Sequence, residues 1–116
     1  MKERIYISGA ITGTDDFVER FANAQKELES QGYAVMNPAH ANSYMPDDAT
    51  YEEYMKVSFC LLDMCNSIYL MNGWEKSNGA NREYAYAVAH QKKIMCENDK
   101  AVNNPKYCVP YKEVAE

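Results

Sequence analysis

Short apolar segments alternate with helical segments along this chain, and the alternation limits the fold more than any other feature. The predicted strands cover residues 5–7, 33–36, 67–71 and 94–96, and a fifth edge strand is indicated at 107–109. Strands that alternate with helices form βαβ units, in which the strands run parallel and helices cover both faces of the sheet. A chain of 116 residues is the size of one domain. We expect a single α/β domain over residues 1–116, a three-layer sandwich with a four- to five-stranded parallel sheet.

The spacing of apolar residues predicts three helices, at residues 15–31, 50–66 and 77–91. Thr50 and Glu53 have the spacing of a capping box, and Gly32 follows the first helix where a glycine commonly ends one. The polar segment 37–49 is predicted to be a loop. The residues expected to be buried are 5–7, 35, 68–70 and 94–96 in the strands, and Phe17, Phe21, Ala24, Leu28, Tyr54, Val57, Leu61, Cys65, Ala80, Tyr84, Ala87 and Val88 on or next to the helices.

The charge balance excludes several kinds of partner. Seventeen acidic residues against twelve basic ones give a net charge of −5, and no row of Lys and Arg is present to neutralise phosphates. We therefore expect no binding to nucleic acid. No apolar stretch approaches the ~20 residues of a membrane span, and the N-terminus has no signal-peptide pattern. We expect no membrane association and a cytoplasmic location.

The cysteines and histidines do not form a metal-binding pattern. The four cysteines include no C-x-x-C pair, and His40 and His90 have no partner at the spacing of metal ligands. We expect four free thiols, no metal site and no cofactor.

Ligands of parallel α/β sheets bind beyond the carboxyl ends of the strands. At that edge the turn from Gly9 to Gly13 lets backbone N–H groups approach an anion, although a tight turn without a ligand fits it equally well. Glu83 lies near the start of the third helix and leans toward the same edge. A solvent-exposed glutamate stabilised by the helix dipole is the alternative.

Three segments carry a resemblance to a known family. They are residues 6–13, residues 65–70 and, above all, the pattern Gly73-Trp74-Glu75-x-Ser77-x-Gly79-Ala80-x-x-Glu83-x-x-x-Ala87. These segments resemble the nucleoside 2-deoxyribosyltransferase superfamily, and within it a small branch catalogued as domain of unknown function 4406. The resemblance implies a Rossmann-like or flavodoxin-like fold. It also implies cleavage of the N-glycosidic bond of a deoxynucleoside or deoxynucleotide, by hydrolysis or by 2-deoxyribosyl transfer.

The resemblance also implies roles for particular residues. Glu83 stands at the position of the family's nucleophile, and Tyr6 at that of an active-site tyrosine. A carboxylate suits this reaction because it stabilises positive charge at the sugar C1′ and can trap the sugar covalently. The residues implied to bind the sugar hydroxyl, the 5′-phosphate or the base are Gly9, Ile11, Thr12, Gly13, Asn37, His40, Ser77, Gly79 and Ala80. Trp74 is either a stacking platform for the ligand or a packing residue.

The sequence departs from the family at two substrate-binding positions. Ser58 and Asn66 stand where the family commonly has aspartates, so the acid that protonates the departing base is missing. Asp63 is a weak substitute, and His40, Asp47 and Asp48 are the other candidates. The alternative function is a catalytically weakened protein that binds or senses a nucleotide. The tyrosine-rich second helix, with Tyr51, Tyr54 and Phe59, and the family's use of neighbouring subunits favour a homo-oligomer.

Overall fold

The computed structural model describes residues 2–11, 16–97 and 106–107. The strands are β1 (Arg4–Ser8), β2 (Ala34–Met36), β3 (Ser67–Leu70), β4 (Lys93–Cys96) and β5 (Lys106–Tyr107), in the order β2-β1-β3-β4-β5. The first four strands are parallel, which confirms the predicted α/β fold, and their order is the flavodoxin-like one. The fifth strand lies at the edge, as expected, but is antiparallel to β4. Cys108 and Val109 of the predicted fifth strand lie outside the described residues.

The helices are α1 (Phe17–Ser30), α2 (Pro38–Asn42), α3 (Tyr51–Asp63) and α4 (Asn78–Ala89), with a 3₁₀ turn at Trp74–Lys76 before α4. The predicted capping box is present, because Thr50 and Glu53 each accept a hydrogen bond from the other's backbone N–H. The prediction of a loop is wrong at α2. There Oδ1 of Asn37 accepts a 2.9 Å hydrogen bond from the backbone N–H of Ala39, and Pro38 fits the first turn because it lacks an N–H.

The sheet is covered on both faces, as a three-layer sandwich requires. Successive residues of β1 point to opposite faces, so Ile5 and Ile7 pack with Phe21 and Leu28 of α1 while Tyr6 packs toward α3 and α4. The predicted core residues of α1 are buried, apart from the half-buried Phe17. Val35, Val88 and Cys96 are only half-buried rather than buried, and Val35 lies in β2, an edge strand of the sheet.

The buried face of α3 differs from the predicted one. Met55, Ser58 and Leu62 are buried, whereas Tyr54, Val57 and Leu61 are half-buried on the flank. The prediction followed the apolar residues and is wrong by one position along the helix. The reason is that a polar residue, Ser58, occupies the centre of the buried face.

Of the three cysteines within the described residues, two are free and one is not. Cys60 and Cys65 are free thiols, but Cys96 is disulfide-bonded, so the prediction of four free thiols is wrong at Cys96. Spacing along the chain does not reveal which distant cysteines meet. Within the described residues, no helix has both the length and the apolar character needed to cross a membrane.

Candidate active site

Glu83 is the buried carboxylate of the α4 face that packs on the sheet. It shares this face with Ala80, Tyr84 and Ala87, and only 7% of its surface is exposed. The spacing of these residues follows the helical repeat, so the side chain of Glu83 is directed inward with its apolar neighbours. The alternative of a solvent-exposed glutamate is therefore wrong.

Three hydroxyl groups surround the carboxylate. The hydroxyl of Tyr6 donates a 2.7 Å hydrogen bond to Oε2 of Glu83, and Oγ of Ser8 donates a 2.6 Å bond to Oε1. The side chain of Ser58, from α3, also hydrogen-bonds to Glu83. Tyr6 and Ser8 reach the same group because residues two apart on a strand share a face. Each carboxylate oxygen thus has a fixed donor, which holds the group in one orientation.

Burial and hydrogen bonding act on the protonation of Glu83 in opposite directions. Burial raises the pKa of the carboxyl, and the hydrogen bonds from Ser8, Tyr6 and Ser58 oppose the rise. Burial and the adjacent charge of Glu83 hold the pKa of Tyr6 well above its ordinary value. Tyr6 therefore remains a hydrogen-bond donor, and the carboxylate is more basic than an exposed one.

A cavity of about 400 Å³ opens beside Glu83, beyond the carboxyl end of β1. This volume is within the range of small-molecule sites. The predicted site residues that line it are Gly9, Ile11, Ser58, Ser77, Gly79, Ala80 and Glu83. The structure thus brings together, around one cavity, predicted site residues from the turn after β1, from α3, and from the cap and first half of α4. Thr12 and Gly13 lie outside the described residues.

The start of α4 forms one wall of the cavity. Oγ of Ser77 accepts a 3.1 Å hydrogen bond from the backbone N–H of Ala80 and so caps the helix. A side-chain carbon on Gly79 would lie 3.6 Å from Sδ of Met55 and 3.7 Å from the hydroxyl oxygen of Tyr51. The missing side chain of Gly79 leaves this corner of the cavity open.

Four other predicted substrate-binding residues do not line this cavity. Asn66 lies at the opposite end of the sheet, where its Oδ1 accepts a 2.8 Å bond from the backbone N–H of Arg4. Trp74 is buried against Tyr84, with ring centroids 5.0 Å apart, so packing accounts for it. Asn37 is the buried N-cap residue of α2. His40 lies within α2, and its side chain is exposed.

The candidate acids are also absent from the cavity lining. Asp47, Asp48 and Asp63 are exposed and none lines the cavity. Asp63 instead accepts a 3.2 Å hydrogen bond from the hydroxyl of Tyr86.

Several residues that belong to the site have no role predicted from the sequence. Ser8 is a direct partner of Glu83, and its position two residues after Tyr6 in a strand was the available signal. Tyr51, Tyr54 and Asn42 line the cavity from α3 and α2. For Asn42 there was no signal, because the sequence did not predict α2.

Comparison with known proteins gives both a family and a fold. The sequence profile of DUF4406, a domain of unknown function, matches residues 3–96. No curated protein sequence matches the chain. Among solved structures, the 2-deoxyribosyltransferase of the psychrotolerant bacterium Bacillus psychrosaccharolyticus superposes with a TM-score of 0.66 at 12% identity, covering 96% of this chain and 89% of the other. The CMP N-glycosidase BcmB of Clostridium botulinum superposes with a TM-score of 0.57 at 21% identity, covering 81% and 67%.

Proposed function

The chain belongs to the DUF4406 family, and from this premise and the geometry around Glu83 we propose that it cleaves the N-glycosidic bond of a nucleoside or nucleotide. Glu83 is the nucleophile in this proposal, and the sugar is passed to water or to a second acceptor. The description of the two structural relatives as a 2-deoxyribosyltransferase and a CMP N-glycosidase supports the reaction class.

The observation that carries the proposal is a buried carboxylate fixed beside a cavity. Burying a carboxylate is costly unless hydrogen bonds compensate it, and here Tyr6 and Ser8 each give one. Such perturbed, oriented carboxyl groups in a cavity are typical of active sites. A purely structural role would not require the group to lie against a cavity of about 400 Å³.

The chemistry follows from the charge and the fixed orientation of Glu83. As the C1′–N bond breaks, positive charge develops on the sugar ring, and the carboxylate stabilises it or bonds to C1′. Water or an acceptor then displaces the carboxylate in a second step. Tyr6 and Ser8 hold the oxygens in place, so the group does not have to reorganise during the reaction.

The start of α4 is the proposed site for the sugar or its 5′-substituent. Ser77, Gly79 and Ala80 line the same cavity as Glu83. Backbone N–H groups at the start of a helix favour oxygen-rich or anionic groups. The turn after β1, beginning at Gly9, borders the same space.

Release of free base tests the proposal directly. The protein is incubated with a panel of deoxynucleosides and their 5′-monophosphates, and free base is measured by chromatography. We expect release from at least one member, with Glu83→Gln as the inactive control. Failure to release base from any member, in a protein shown to be folded, would contradict the enzyme function.

A nucleotide-binding protein with weakened catalysis is the second candidate. It is favoured by Ser58, which lies at the carboxylate in place of an acid. In that case ligands would raise the thermal unfolding temperature without base release, because a ligand that binds only the folded state stabilises it.

We also propose that the protein is a cytoplasmic homo-oligomer that associates through the outer surface of α3 and α4. Phe59 stacks on Tyr86 at 4.8 Å, and the guanidinium of Arg82 lies 5.5 Å from the ring centroid of Tyr51. Tyr51 is 48% exposed and also lines the cavity, so a neighbouring subunit at this surface would border the site. Sedimentation should show a dimer or larger assembly that Phe59→Glu dissociates. A monomeric wild-type protein at micromolar concentration would contradict this.

A further inference from the structure

Within the described residues, the cavity contains a nucleophile but no second carboxyl group and no imidazole to act as an acid, and this combination limits the substrate. Resting on the function proposed above, we propose that the site acts on N-glycosides whose base already carries a positive charge. Pyridinium ribosides and N7-alkylated purine nucleosides share this chemistry.

The charge of the cavity is the first observation. Among the described residues that line it, Glu83 is the single Asp, Glu, His, Lys or Arg side chain. Among the described residues, the groups that hydrogen-bond to the carboxylate are hydroxyls, and no basic side chain forms an ion pair with it. The described part of the cavity therefore presents one uncompensated negative charge when Glu83 is ionised.

The composition of the walls is the second observation. The rest of the lining is apolar, aromatic or uncharged, with Phe17, Tyr51 and Tyr54 among its residues. Aromatic faces attract cations, and a charge acts more strongly where water is excluded. A cationic base thus gains favourable interactions in this cavity, both with the ring faces and with the carboxylate.

The chemistry of the leaving group also favours a cationic base. A neutral purine or pyrimidine leaves as an anion unless it is protonated, and general acid catalysis typically contributes ~10² to 10⁴-fold. Ser58 cannot supply that acid efficiently, because an alcohol is a much weaker acid than a carboxyl group. A cationic base needs no proton to leave.

The reaction balances without an acid from the protein. The electrons of the C1′–N bond move to the ring nitrogen, which neutralises the base, while the carboxylate of Glu83 bonds to C1′. Water then displaces Glu83 at C1′ and releases one proton. The products are the free sugar, the neutral base and H⁺, so no oxidant, reductant or co-reactant is required.

A matched pair of substrates tests the inference. Guanosine and 7-methylguanosine, in ribo and 2′-deoxy forms, differ in the charge of the base and little in shape, and nicotinamide riboside represents the pyridinium class. After subtraction of spontaneous hydrolysis, we expect kcat/KM to be at least ~100-fold higher for the methylated nucleoside of each pair. This ratio is the lower end of the rate enhancement that a general acid typically contributes. A ratio below that overturns the inference while leaving the proposed function intact. Turnover of nicotinamide riboside distinguishes pyridinium from purine substrates.

Two variants sharpen the test. Ser58→Asp places a second carboxyl beside Glu83, and two adjacent carboxyls share a proton, so one of them becomes an acid near neutral pH. We expect this variant to lower the ratio of the two kcat/KM values at least tenfold, by gain of activity on the neutral nucleoside.

Asp15→Asn controls for an acid outside the described residues and should leave the ratio unchanged. A rise in the ratio with Asp15→Asn would overturn the inference, and absence of cleavage of every substrate would overturn the proposed function together with it.

Discussion

The hydroxyl of Tyr6 donates a 2.7 Å hydrogen bond to Oε2 of Glu83 and so joins β1 to α4 across 77 positions of sequence. Both residues are buried, and hydrogen bonds to ionised groups in such surroundings are stronger than those between neutral groups. Removal of either partner would take one hydrogen bond from a buried polar group. The bond therefore positions the helix and orients the carboxylate at the same time.

Ser8 is expected to adjust the ionisation of Glu83. In Ser8→Ala the carboxylate loses the 2.6 Å hydrogen bond that lowers its pKa, so the pKa rises further. A nucleophilic carboxylate must be ionised, and the acidic limb of kcat/KM against pH should therefore move to higher pH. The control is Ser30→Ala, since the exposed Ser30 bonds only to the backbone oxygen of Glu27 among the described contacts. An unmoved limb in Ser8→Ala would show that Ser8 does not act through Glu83.

The buried charge of Glu83 should also appear in the pH dependence of stability. Its pKa in the folded protein is raised above the ordinary 4.5. The folded state then binds the proton more tightly than the unfolded state, so the contribution of Glu83 to stability is greatest below pH 4.5 and is lost as the pH rises through the folded pKa. Glu83→Gln lacks this effect, and other titrating groups contribute equally to both proteins.

Urea unfolding at pH 4 and pH 8 measures the difference. The free energy of unfolding of the wild type, relative to Glu83→Gln, should decrease from pH 4 to pH 8 by about 1.4 kcal/mol for each unit by which the pKa is raised. A relative gain in wild-type stability over this interval would mean that the carboxylate is better stabilised when folded than when exposed.

Two glycines of the cavity wall should respond oppositely to alanine. A side-chain carbon on Gly9 would lie 3.1 Å from Cβ of Met71, which is buried, so Gly9→Ala should cost about 1–3 kcal/mol through overpacking. At Gly79 the nearest atom is 3.6 Å away, and Gly79→Ala should stabilise α4 by about 0.5–1 kcal/mol. Its methyl group nevertheless enters the cavity and should weaken ligand binding. Equal destabilisation by both changes in urea unfolding would contradict the described packing.

The fold could be predicted because local patterns determine most of it. The apolar segments at β1, β3 and β4 and the capping box of α3 each specify structure within a few residues. The antiparallel direction of the edge strand β5 was not predicted, because no local sequence pattern specifies the direction in which an edge strand pairs with β4. The short helix α2 was missed because it is a single turn of polar and small residues.

The site could be predicted only in part, because its partners come from separate segments. The resemblance pointed to Glu83, and the structure describes it as buried beside a cavity. The partner Ser8 was not assigned a role, and the phase of α3 was misjudged because Ser58 faces a carboxylate rather than an apolar neighbour. Asn66 was placed at the substrate although it follows α3 at the opposite end of the sheet. In each case the deciding interaction joins residues far apart in the chain.

A comparison of base release by the wild type, Glu83→Gln and Glu75→Gln tests whether Glu83 is the nucleophile. Glu75 is an exposed glutamate eight positions before Glu83 in the chain, and it does not line the cavity. Glu75→Gln therefore removes one negative charge, as Glu83→Gln does, but from a residue outside the cavity lining. We expect Glu83→Gln to lower kcat/KM by about 10³-fold or more while ligands still raise its unfolding temperature, because the lost charge acts mainly in the transition state. Glu75→Gln should retain wild-type turnover. Wild-type turnover by Glu83→Gln would contradict the assignment of Glu83 as the nucleophile.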